Sequence, residues 1–241
     1  MSATGSYMAL RFRYIGPVFT EYRRCVLEDI MRAFDGISDR ARKASDAEYA
    51  RLCSAPAGED YSGDLSNLAE AAHSFGIRLY LVLKGLRQAT LNLHTAGLFP
   101  LLEQQLADQC RDVTFSEQPP KDTKLETVTK WYRANFMLDL HTLRSWTVVD
   151  ELRCAANTVK HGDGRSAQKL HELRPTLFQD AKLTEFELAS FTIHTRPVRN
   201  PMSGEDLFIT EDEFCRYAEA ASGFMIEIAD YFEAHGADRF L

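Results

Sequence analysis

No two cysteines stand in a CxxC pair. Cys25, Cys53, Cys110, Cys154 and Cys215 are odd in number and widely scattered. This excludes the local zinc and redox-dithiol motifs, and no metal or cofactor is expected. Cysteines that fall within helical apolar patterns act as small hydrophobes, and a reducing cytoplasm is the expected compartment. No apolar run approaches the ~18 residues of a membrane span, so no membrane partner is expected. The stretch from Met1 to Arg13 lacks an apolar segment followed by small residues, and secretion is not expected either. Excess positive charge is also missing. The chain carries 28 Lys and Arg against 35 Asp and Glu, a net charge of −7. That argues against broad, non-specific binding to nucleic acid. The glycine-rich phosphate loops, HExxH and GxSxG are all absent.

What remains is a chain of 241 residues, 45% apolar, which suits a single domain with an ample core. Charge is unevenly spread. From Arg153 to Arg174 five basic residues face two acids, whereas from Glu205 to Glu233 nine acids accompany only Arg216. A local basic patch on an acidic protein is compatible with one phosphate-bearing ligand, although charge runs are more often solvated surface.

Apolar periodicity predicts a mostly α protein, a bundle of long amphipathic helices with one small β-hairpin near residues 186–209. Residues 1–16 read as a lead-in, 17–173 as the helical core, 185–210 as the hairpin and 211–235 as a C-terminal helix. Pro17 suits a first helical turn. Ser45 to Glu48, Thr123 to Glu126 and Thr210 to Glu213 each read as a capping box. The clearest helical stripe is Leu65, Leu68, Ala72, Phe75, Leu79, Leu83, Leu86, Thr90 and Leu93, with Gly97 and Pro100 ending or kinking it. A further helical pattern runs from Leu125 to Val159 with a bend near Asp139 to Thr142, and Gly162 closes it as the residue beyond the C-cap. Phe191, Ile193 and Thr195 alternate, as do Leu207 and Ile209, which predicts the two hairpin strands.

One segment concentrates candidate chemistry, Glu151-Leu-Arg-Cys-Ala-Ala-Asn-Thr-Val-Lys-His161 ahead of Gly162. At about 100° per residue, and taking Arg153 as zero, Lys160 lies near about −20°, Asn157 near about 40°, Asp150 near about 60° and His161 near about 80°. These groups share one stripe, while Leu152, Ala155, Ala156 and Val159 fall on other faces. A histidine able to carry a proton, an arginine able to grip phosphate oxygens and an orienting amide are the parts for metal-free phosphodiester cleavage. The same residues can equally cap, solvate or pair across helices, so spacing alone leaves catalysis and structure both open.

The pattern Arg153-x3-Asn157-x2-Lys160-His161 ahead of a glycine resembles the end of the signature helix of the HEPN-like superfamily. The resemblance implies an all-helical, dimeric protein of bacterial defence or toxin–antitoxin systems. It also implies metal-independent endoribonuclease chemistry, with Arg153 and His161 catalytic and Asn157 and Lys160 supporting. Expected partners are RNA or a nucleotide, a second copy of the chain, and a partner protein of a defence system. A degenerate site would instead make the chain a non-catalytic adaptor or antitoxin-like subunit. Asn157-Thr-Val-Lys-His161 also resembles the asparagine box of histidine-kinase-type ATPases, but no DxGxG-type box follows it.

Overall fold

Met8, Phe12, Ile15 and Phe19 step by four, three and four, and all are buried. They lie on α1, Ala3–Arg24, so the expected lead-in is helical from its third residue. Pro17 sits inside this helix rather than in its first turn. An interior proline costs about 3 kcal/mol, while each fully buried Met or Phe gains about 1.5–3 kcal/mol, so packing wins. The computed structural model describes residues 3–54, 65–112, 119–179 and 198–236.

A π-helical turn at Cys25–Ile30 and a 3-10 turn at Met31–Phe34 lead to α2, Ile37–Ser54. Ser45 therefore lies mid-helix and caps nothing. Its hydroxyl donates to the Ala72 carbonyl of the next helix, and Glu48 pairs with Arg51. Helix α3, Leu65–Asp112, is unbroken over 48 residues and passes through Gly97 and Pro100. Leu98, Phe99, Leu102 and Leu106 hold this stretch in the core, which overrides the expected stop.

The pattern from Leu125 to Val159 divides into α4, Leu125–Phe136, and α5, Trp146–His161, with a 3-10 turn at Leu140–Thr142 between them. The expected bend is thus a full break. Met137 takes a left-handed conformation, φ 53°, and its N–H closes on the Arg133 carbonyl. The box expected at Thr123 does not form. Lys124 is the N-cap, and the Leu125 amide donates instead to Glu103 of α3 at 2.8 Å.

Helix α6, Arg165–Leu173, ends before a 3-10 turn at Pro175–Phe178. A further 3-10 turn at Pro201–Ser203 precedes α7, Glu211–His235. The Thr210 cap is present, with the Glu213 amide donating to the hydroxyl at 3.1 Å. Its reciprocal arm is not used, because the Glu213 carboxylate is held by Arg174 and Arg216.

The described residues are mostly helical and contain no strand. Phe191, Ile193 and Thr195 of the expected hairpin lie outside the described residues. Leu207 and Ile209 are buried as their alternation implies, but their backbone pairs with side chains of α3. Asn92 donates to the carbonyls of Pro201 and Leu207 at 2.7 and 2.9 Å, and Gln88 to that of Ile209 at 2.8 Å. These amides satisfy carbonyls that a partner strand would otherwise have to meet.

Helix α1 runs antiparallel to α7, joined by the stacked pair Phe12 and Phe232 and by Arg13 bridging Asp230 and Glu233. Helix α5 packs against α3, α6 and α7, while α2 lies along the first half of α3.

Candidate functional site

Helix α5 sorts its residues as the angular reading expects. Leu152, Ala155, Ala156 and Val159 are buried, Arg153 and Asn157 are partly exposed, and Lys160 and His161 are exposed. Lys160 and His161 occupy the last turn, where cations suit the helix dipole. Gly162 ends the helix with φ 69° and donates to the Thr158 carbonyl at 2.9 Å. A Cβ there would come 2.7 Å from the Val198 carbonyl oxygen, so both conformation and close approach require glycine.

Arg153 is not free to swing toward His161. Its Nε donates to Asp150 Oδ1 at 2.8 Å, and Lys169 of α6 holds the other carboxylate oxygen at 2.5 Å. Partial burial pushes the Asp150 carboxyl up, but the hydrogen bonds from Lys169 and Arg153 outweigh it and hold the group below its usual range. Burial opposes the charge on Arg153, and the hydrogen bond to Asp150 more than restores it. Glu103 on α3 joins this line of charges. Burial raises its carboxyl above the usual range, and the Leu125 amide, Lys160 and Arg153 only partly offset that.

The site is therefore a cluster of charge in which Asp150 joins Arg153 and Lys169 and Glu103 lies within electrostatic reach of Lys160 and Arg153, with Asn157 and His161 on the same helix edge. Sequence reasoning placed Asp150 on the stripe and Lys169 in the basic patch, but it missed Glu103, which arrives from another helix. Arg153 and His161 remain apart. Eight residues at 1.5 Å each separate them by about 12 Å along the axis, and Arg153 is held by Asp150, which lies nearly a further turn away from His161. The open groove of about 1680 Å³ beside α3 includes none of the four stripe residues. Among the described residues, no three His, Cys, Asp or Glu side chains are placed to hold a metal ion. Among them, too, no helix is long and apolar enough to cross a membrane.

A second cluster had no sequence signal at all. On the inward face of α5, the nearly buried Glu151 pairs with Arg216, accepts from the Tyr217 hydroxyl at 2.8 Å and lies 3.7 Å from Arg174. Arg174 and Arg216 also bind Glu213, at 2.9 Å for the Arg216 Nε contact. Burial and the neighbouring Glu151 carboxylate drive the Tyr217 phenol far above its ordinary value. Each guanidinium has two carboxylate partners, so the cluster ties α5, α7 and the residue after α6 together.

The chain matches no protein-family model, no curated protein and no solved structure.

Proposed function

We propose that this protein is an HEPN-like effector of bacterial defence or toxin–antitoxin function that binds RNA or a nucleotide along the outer edge of α5. The observation that supports this reading is the placement of Arg153, Asn157, Lys160 and His161. All four reach solvent along one edge of a helix whose residues from Val149 to Val159 on the other faces are buried. Cations and an amide on such an edge suit phosphate oxygens and base edges.

In the catalytic form of this reading the protein is a metal-independent endoribonuclease. His161 takes the proton from an RNA 2′-hydroxyl as it attacks the adjacent phosphorus, and Arg153 stabilises the charge that develops. The 5′-oxygen leaves with a proton, giving a 2′,3′-cyclic phosphate and a 5′-hydroxyl. In this form a homodimer, as the resemblance implies, would bring His161 of one copy near Arg153 of the other.

The test is incubation of purified protein with mixed cellular RNA in the presence of EDTA, beside His161→Ala and Arg153→Ala. The catalytic form predicts cleavage that falls about 10²–10⁴-fold with His161→Ala while the helical circular dichroism is unchanged. RNA binding without cleavage, weakened by either substitution, supports the binding form alone. Neither binding nor cleavage rejects the proposal.

One observation favours a second reading, a non-catalytic adaptor or antitoxin-like module. Arg153 already spends its guanidinium on Asp150, which Lys169 also holds. An ion-paired arginine has less to offer an incoming phosphate.

A further inference from the structure

The open groove of about 1680 Å³ is bounded by α3, the start of α2, the turn after α6 and residues 202–213. Small-molecule sites occupy about 300–1,000 Å³, so this groove is sized for a peptide. Leu81, Val82, Leu86 and Met202 line it, and each side chain is more than half exposed. Scattered apolar residues on a surface need no explanation, but these four are gathered in one concavity.

The charge around these residues has one dominant sign. Asp39, Glu205, Asp206, Glu211, Asp212 and Glu213 line the groove, against Lys84 and Arg87. Arg87 is occupied by Glu211, Glu213 is taken by Arg174 and Arg216, and Asp39 is paired with Arg42, which leaves Glu205, Asp206 and Asp212 as the carboxylates without an ion pair to a cation among the described residues. The excess of carboxylates over cations leaves the lining net negative. Among the described residues no strand edge is available for a peptide to extend, so the groove offers side-chain packing rather than a backbone ladder.

We propose that this groove docks a basic amphipathic helix of a partner protein. Its apolar face packs on Leu81, Val82, Leu86 and Met202, and its Lys and Arg flanks meet the acidic lining. The site is separate from the α5 edge, and the inference does not rest on the RNA reading.

The experiment uses two fluorescein-labelled synthetic helices with the same leucine face, one flanked by lysine and one by glutamate. Fluorescence anisotropy with the full chain should show the lysine peptide binding at least about tenfold tighter, with affinity falling as salt rises. Val82→Glu with Leu86→Glu should abolish binding while circular dichroism stays unchanged, since both residues are exposed. Asp39→Asn with Asp212→Asn should cut the preference for the lysine peptide about threefold or more. Equal binding of both peptides, or binding of neither, overturns the proposal. So does finding that Val82→Glu with Leu86→Glu splits a dimer by sedimentation while the lysine peptide fails to bind, because the groove then belongs to a second copy.

Discussion

From Leu91 to Cys110, α3 buries Leu91, Leu98, Phe99, Leu102, Leu106 and Ala107 among the other helices. From Leu65 to Thr90, the same helix carries a comparable set of apolar residues and leaves most of them in solvent. Leu65, Phe75, Ile77, Leu81, Val82 and Leu86 are exposed, and Ala72 and Leu83 are the apolar residues buried there. The difference lies in the neighbours. The first half has α2 along one side, with Ser45 and Ala41 crowding Gly76, and the segment ending at Gly204 pressed on Gly85. The second half is enclosed by α1, α5 and α7. Apolar periodicity reports that a stripe can be buried, and the count of surrounding elements decides whether it is.

The largest expected effect tests the enclosed half. Leu102→Ala removes a fully buried side chain and should cost about 2–5 kcal/mol in urea denaturation. A loss under about 1 kcal/mol would mean that this half is packed no better than the first half of α3. Next comes the junction. Asn92→Leu leaves the Pro201 and Leu207 carbonyls without their donors and should cost about 1–3 kcal/mol. Hydrogen exchange should rise near 201–209 more than in α2.

A smaller effect depends on pH. Burial holds His94 below its ordinary value of 6.5, beside the Tyr22 hydroxyl at 2.9 Å. The folded state then binds its proton less readily than the unfolded chain does. This contribution is complete above about pH 6.5 and is lost as pH falls through the depressed folded value. The Tm of the natural chain should drop more between pH 7.5 and 5.5 than that of His94→Gln, and parallel profiles would remove His94 from the account. Smallest of all, Leu86→Ala in the exposed half should change stability by no more than about 0.5 kcal/mol. A loss like that of Leu102→Ala would show that the stripe is covered in solution.

Much of the helical frame was legible from one sequence. Gly162 marked the end of α5 and Thr210 the start of α7. Local rules failed where tertiary packing opposed them. Pro17 read as a helix start and Pro100 as an end or kink, yet both lie inside helices whose apolar stripes are buried nearby. Ser45 and Thr123 read as caps, yet one bonds a neighbouring helix and the other yields its role to Glu103. The exposed edge of α5 was readable because four polar residues fall within one helical face. Asp150 was readable beside them, but the contacts with Lys169 and Glu103 were not, since two other helices supply those groups.

By itself, the order of residues determined that α5 has a wet edge and a dry face, and which residues stand on each. A helix has a known period, so that separation follows from spacing alone. Only the tertiary structure decided that Lys169 also binds Asp150 and that Glu151 is tied to Arg174, Arg216 and Tyr217. It also decided that the apolar stripe of the first half of α3 stays open to solvent. Partners distant in the chain carry no periodic signal, and burial depends on which surfaces the fold brings opposite each stripe.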